Sequence, residues 1–173
     1  MAKSNSINIS TVEQAVNNAV DYLKKWSHEE LARLMEQTSK GHQTPLIIKV
    51  PNKGYVIGNY FLEQIDNRWW RLTYRYGDRE FIFFNKLSAV CYAVYSQTNN
   101  CTRADRILQD DEQVGRLTLK TEQYYFRYQQ AIRKKNTHKT DLFLVRYQES
   151  LQKLSNSKNL LEKSLKSAKY IKF

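Results

Sequence analysis

The sequence predicts an α+β protein: amino-terminal helices, a small antiparallel β-meander with a covering helix, and a C-terminal antiparallel helical hairpin that is coiled-coil-like. Three observations carry this reading. Capping signals recur along the first 45 residues, short β-prone runs separated by tight turns fill the middle, and leucines recur at three–four spacing near the end. They divide the chain into an N-terminal helical segment (1–45), a meander plus helix (46–100) and a basic hairpin (101–173).

Ser10-Thr11-Val12-Glu13 has the form of a capping box, with the Ser side chain taking a free amide and the Glu reaching back to the cap. Val12, Ala15, Val16, Ala19, Leu23 and Trp26 follow at helical spacing. Ser27-His28-Glu29-Glu30 repeats the signal ahead of Leu31, Leu34 and Met35, and Gly41 is the stop.

From Leu46 the pattern changes. Leu46 to Val50 is apolar and β-branched, and Tyr55 to Ile65 reads as one further run. Asp66-Asn67 turns into residues 68–76, and Gly77-Asp78 turns into residues 79–84. In the run 68–76, Trp70, Leu72, Tyr74 and Tyr76 share the face better suited to the core. Asn85 caps a helix over 86–96 whose stripe is Leu87, Val90, Cys91 and Val94.

The remainder is helical, with a polar gap at 136–140. Downstream, Leu144, Tyr147, Leu151, Leu154, Leu161 and Leu165 form a heptad seam with Lys158 as its charged defect. Upstream, Ala104, Ile107, Leu108, Val114, Leu117, Tyr125, Tyr128 and Ile132 form a broader stripe. Gly115 within it is a weak point, costing about 1 kcal/mol against alanine.

Charge is concentrated in the hairpin. Of a net +11 over 173 residues, positions 1–45 contribute nothing and 46–119 contribute +2. Positions 120–173, with 13 basic and four acidic side chains, hold +9. Arg133, Lys134, Lys135 and Lys139 cluster at the tip, and Lys153, Lys163, Lys166 and Lys169 lie along the last helix. Such a face is either simply solvated or a surface for phosphate or an acidic protein. Trp69 and Tyr74, interleaved with Arg71 and Arg75, are candidate base-stacking groups; packing in the core is the alternative.

Catalytic and metal chemistry leave no motif. His28, His42 and His138 are isolated from other ligand types. Gly54-Tyr55-Val56-Ile57-Gly58 lacks the Gly-Lys-Ser/Thr ending of a phosphate loop. Asp110-Asp111-Glu112 reads as a solvated helix face, and Cys91 as a small core residue. The expectation is a non-enzyme with no cofactor, no metal and no small-molecule substrate. Two cysteines and the absence of an apolar leader or 18-residue apolar run point to a reducing cytoplasmic setting without membrane insertion.

Two stretches, Lys49-Val50-Pro51-Asn52-Lys53-Gly54-Tyr55-Val56-Ile57-Gly58-Asn59-Tyr60 and Lys139-Thr140-Asp141-Leu142-Phe143-Leu144-Val145-Arg146-Tyr147-Gln148-Glu149-Ser150, resemble small uncharacterised proteins of large contractile-tailed marine cyanophages. The resemblance covers the organisation of residues 45–170 and implies a phage setting, with no residue roles attached. The leading expectation is therefore an assembly or virion-associated protein that docks through its hairpin on copies of itself or on another protein. A nucleic-acid-binding protein and an inhibitor or adaptor of an acidic host protein are the alternatives.

Overall fold

The computed structural model describes Pro45, residues 47–98 and residues 100–166. The expected N-terminal helices, Leu46, and Lys169 lie outside the described residues. Five strands, β1 (Ile47–Val50), β2 (Gly54–Ile57), β3 (Tyr60–Gln64), β4 (Trp70–Tyr74) and β5 (Glu80–Phe83), form one antiparallel sheet in sequential order. Three helices follow: α1 (Lys86–Gln97), α2 (Cys101–Arg133) and α3 (Thr137–Leu165).

The run from Tyr55 to Ile65 is two strands rather than one. Ile57 pairs with Tyr60, so the chain reverses over Gly58-Asn59. Gly58 sits at φ +55°, and a Cβ there would fall 2.3 Å from Gln97 Oε1. That side chain, from the last turn of α1, clamps the hairpin: its Nε2 donates to Ile57 O at 3.1 Å and its Oε1 accepts from Asn59 N at 2.7 Å. Hydrophobic patterning alone could not see the break, because apolar residues flank the reversal on both sides.

Register places Ile57, Tyr60, Leu62, Leu72 and Phe83 on one sheet face, where they pack against Ala89, Val90, Tyr92, Ala93 and Val94 of α1. Trp70 and Tyr74 join this layer as expected, whereas Tyr76 is exposed. Asn85 caps α1 by accepting from Leu87 N at 2.9 Å. The helix is buried on two sides, not along the single expected stripe. Cys91 and Leu87 turn to a second core, made by Ile107, Val114 and Leu117 of α2 and Leu154, Leu161 and Leu165 of α3. The sheet, α1 and the base of the hairpin are thus joined by continuous packing.

Helices α2 and α3 run antiparallel. Asp110 meets Ser164, Thr121 meets Ser150 and Tyr125 meets Tyr147, so one index falls as the other rises. The turn between them is shorter than the expected 136–140 gap. Lys135 adopts φ +50°, Lys135 N donates to Ile132 O at 2.9 Å, and Asn136 N donates to Ala131 O at 3.1 Å. These bonds are a Schellman closure of α2 with Lys where Gly is usual. Asn136 at once caps α3, its Oδ1 accepting from Lys139 N at 3.0 Å. What reads as a polar gap is a helix start.

The seam also differs from expectation in one column. The side chains of α3 withdrawn from solvent are Thr140, Phe143, Tyr147, Ser150, Leu154, Ser157, Leu161, Ser164 and Leu165, with Leu144 half-buried at the margin. Of the expected seam, Tyr147, Leu154, Leu161 and Leu165 are withdrawn from solvent and Leu144 is half-buried, whereas Leu151 is 40% exposed and Lys158 is exposed as well. In the neighbouring column, Ser150 and Ser164 hydrogen-bond across the interface. Thr121 Oγ1 donates to Leu117 O at 2.7 Å, leaving its oxygen to accept from Ser150 Oγ at 2.7 Å. Ser164 Oγ donates to Asp110 Oδ2 at 2.7 Å. A small paired hydroxyl lets the backbones approach where leucine would hold them apart.

Candidate functional site

The hairpin extends well past the body. At 33 residues α2 is about 50 Å long at 1.5 Å per residue, while the core shared with α1 ends near Leu117. Among the described residues, the two helices beyond that point pack mainly on each other, with Arg68 of the β3–β4 turn reaching Glu122. A two-helix layer buries one stripe per helix and leaves the rest to solvent.

That outer surface combines cations with apolar groups. Arg133, Lys134, Lys135 and Lys139 are all exposed around the tip. Lys139, Arg146 and Lys153 follow at seven-residue intervals and so form a stripe along one flank of α3. Leu142 and Leu160 are exposed beside that stripe. Lys163 and Lys166, also exposed, turn away from it, so the lysines of the last helix do not make the single face that their spacing in sequence suggested. On α2, Leu119 and Phe126 lie on the side turned from α3, and Phe126 is 61% exposed. Arg127 reaches over the Phe143 ring at 6.0 Å and Lys120 over Tyr124 at 5.9 Å. Opposing charge is partly withdrawn: Arg68 Nη1 holds both Glu122 oxygens at 2.7 Å.

The two candidate stacking residues are not brought together. Tyr74 belongs to the layer beneath α1, tilted against Tyr60 at 4.9 Å and edge-on to Tyr76 at 5.7 Å. Trp69 lies against α2 instead, edge-on to Phe84 at 5.3 Å. Its indole occupies the space left by Gly115, where a Cβ would stand 3.1 Å from Trp69 Cη2 and 3.2 Å from Phe84 Cβ. Gly115 is therefore a seat for the ring and not a weak point in the helix. The free edge of Trp69 lines a shallow cleft with Glu112, Arg116, Leu119, Lys120 and Gln123.

Asp110-Asp111-Glu112 is not one solvated face. Glu112 is exposed and Asp110 serves Ser164, while Asp111 is fully buried. Its carboxylate accepts from Phe84 N at 2.6 Å and Asn85 N at 3.1 Å, tying the start of α1 to α2. Burial pushes its pKa up, and the bonds from Phe84 N and Asn85 N offset part of that rise. Sequence carried no signal for this latch, since its donors lie 26 and 27 residues away.

Among the described residues no group of His, Cys, Asp and Glu is placed to hold a metal, and no helix is long and apolar enough to cross a membrane. Cys91 is buried, its thiol pushed up to about 12 by desolvation, whereas Cys101 is exposed. No protein-family model matches the chain, and neither curated proteins nor solved structures give a match.

Proposed function

We propose that this is a non-enzymatic interaction protein, of the assembly or virion-associated kind, whose coiled-coil-like hairpin docks on an acidic protein surface. The observation that carries the reading is the exposed Lys139–Arg146–Lys153 stripe with Leu142 and Leu160 beside it, on a hairpin that continues beyond the core it shares with α1. Apolar anchors edged by cations suit a partner that offers carboxylates around an apolar groove. Docking of this face on a second copy is disfavoured, because the segment 120–173 carries +9 and would meet itself. A phage assembly component is the preferred partner, and an acidic host protein would be recognised by the same chemistry.

The test is affinity capture from infected-host lysate with the full chain and with a Lys139→Gln, Arg146→Gln, Lys153→Gln variant. The expected result is a defined acidic protein retained by the first, lost by the second, and released by moderate salt. Equal retention by both overturns the proposal.

Nucleic-acid binding is favoured by one observation, the exposed Tyr125 and Phe126 rings on the same arm as Arg127 and the tip cations. Filter binding across a salt series separates the readings. Phosphate contacts give an affinity that falls steeply with salt, and no retention of single-stranded DNA or RNA at low salt removes this alternative.

A further inference from the structure

The opposite end of the hairpin carries a second concentration of charge. A cleft of about 420 Å³ at its base is lined by Asn100, Thr102, Arg103, Arg106, Lys163 and Ser164. Three of these six are cationic and none is acidic. They arrive from two helices and from positions about 60 residues apart in sequence, so only the antiparallel return of α3 assembles them.

Arg103 is held in place before any ligand arrives. Its guanidinium lies over the Tyr95 ring at 4.6 Å, and its Nη2 donates to Ser164 O at 3.3 Å. Ser164 is fixed in turn by its bond to Asp110 Oδ2 at 2.7 Å. A guanidinium offers five N–H donors in a planar fork, and a single contact with a backbone carbonyl leaves most of them for a planar or tetrahedral oxyanion. Among the described residues, the ion pairs join Arg68 to Glu122 and Arg71 to Glu63, and none involves Arg103, Arg106 or Lys163. Among the described residues these three cations have no carboxylate at ion-pair distance, and they repel one another. An anion seated among them removes that repulsion and gains charge-assisted hydrogen bonds.

We propose that this cleft is a binding site for a phosphate-class oxyanion, either a free phosphate or diphosphate or the same group carried on a nucleotide. Arg103 acts as the oriented fork and Arg106 and Lys163 as the flanking charges. Thr102 and Asn100 supply neutral hydrogen-bonding groups at the rim. The site is separate from the hairpin tip: Arg103 and Arg133 lie 30 residues apart on α2, which is about 45 Å.

The experiment is calorimetric titration of the full chain with inorganic phosphate, pyrophosphate and adenosine diphosphate, at an ionic strength held constant with chloride. The expected result is saturable binding of one ligand per chain, tighter for pyrophosphate than for phosphate. Adenosine diphosphate binding like pyrophosphate assigns recognition to the phosphates alone; tighter binding places a nucleoside in the cleft as well. Arg106→Gln with Lys163→Gln, both on exposed side chains, weakens pyrophosphate at least tenfold. Arg103→Lys, which keeps the charge but loses the fork, weakens it severalfold while the thermal melt stays in place. Lys134→Gln with Lys135→Gln and Lys139→Gln leaves it within about twofold. Heat that never saturates with any of the three ligands overturns the proposal. So does a loss from the tip variant equal to that from the cleft variant, because both results describe attraction to a basic chain and not a built site.

Discussion

Replacing Gly115 with alanine sets two effects of known size against each other. In an exposed helix interior this substitution stabilises by about 1 kcal/mol, because alanine loses less backbone freedom on folding. Here the new methyl would stand 3.1 Å and 3.3 Å from Trp69 Cη2 and Cζ3, and 3.2 Å from Phe84 Cβ. Carbon atoms settle at about 3.5–4.0 Å, so ring and loop must each give a few tenths of an ångström. Neither moves freely: the indole is packed edge-on to Phe84, and the Phe84 amide is bonded to buried Asp111. Overpacking of this kind costs about 1–3 kcal/mol. The sum is a net destabilisation of up to about 2 kcal/mol, opposite in sign to the helix-propensity expectation. Urea unfolding followed by tryptophan fluorescence and far-ultraviolet dichroism reads it directly. Trp69→Phe removes the far ring that the methyl would meet, so it should cost less in the Gly115→Ala background than in the wild type, with a coupling of about 1 kcal/mol. A Gly115→Ala chain that is more stable than wild type, with no coupling to Trp69, would refute the reasoning.

Two further outcomes follow from buried groups. Because burial raises the Asp111 carboxyl above its ordinary 3.8, the native state keeps a proton that the unfolded chain releases. Stability from this group is therefore full below 3.8 and declines as pH rises from there through the raised native value. Asp111→Asn should remove that decline, so the wild-type advantage over the variant narrows with rising pH; an advantage that grows instead contradicts the assignment. For the thiols, a colorimetric titration in native buffer at pH 8 should find Cys101 reacting at once and Cys91 only after denaturant is added, since its thiol is pushed up to about 12. Two fast equivalents would show that the core around α1 opens.

Much of the described architecture is legible in the sequence because it is local. Asn85, Gly77-Asp78 and Asp66-Asn67 each act within a few residues, and alternation in the run 68–76 identifies the face carrying Leu72. What the sequence conceals depends on partners far along the chain. Columns 144, 151, 158 and 165 and columns 143, 150, 157 and 164 lie within one broad stripe of α3, and apolarity favours the first. The choice goes largely to the second because Thr121 and Asp110 of α2 supply hydrogen-bond partners, a reason that hydrophobic periodicity cannot contain. Gly115 likewise reads as a flaw until Trp69, 46 positions earlier, is found in the space it leaves. The basic tip stands in a contiguous run of sequence and was visible. The basal cleft needed Arg103 and Lys163 to be brought together by the fold and was not.

The Schellman closure at Lys135, followed at once by the Asn136 cap, has a consequence for tolerance to change. With only Lys134 and Lys135 between the last residue of α2 and the cap of α3, the turn fixes the rotational phase of one helix against the other. One inserted residue would advance α3 by about 100°, carrying Ser150 away from Thr121 and Ser164 away from Asp110 together. The tip therefore works as an index mark for the whole arm. Packing leaves the outer faces of the hairpin open to substitution, but its length at the tip is constrained from about 40 Å away, by Asp110 and Ser164 near its base.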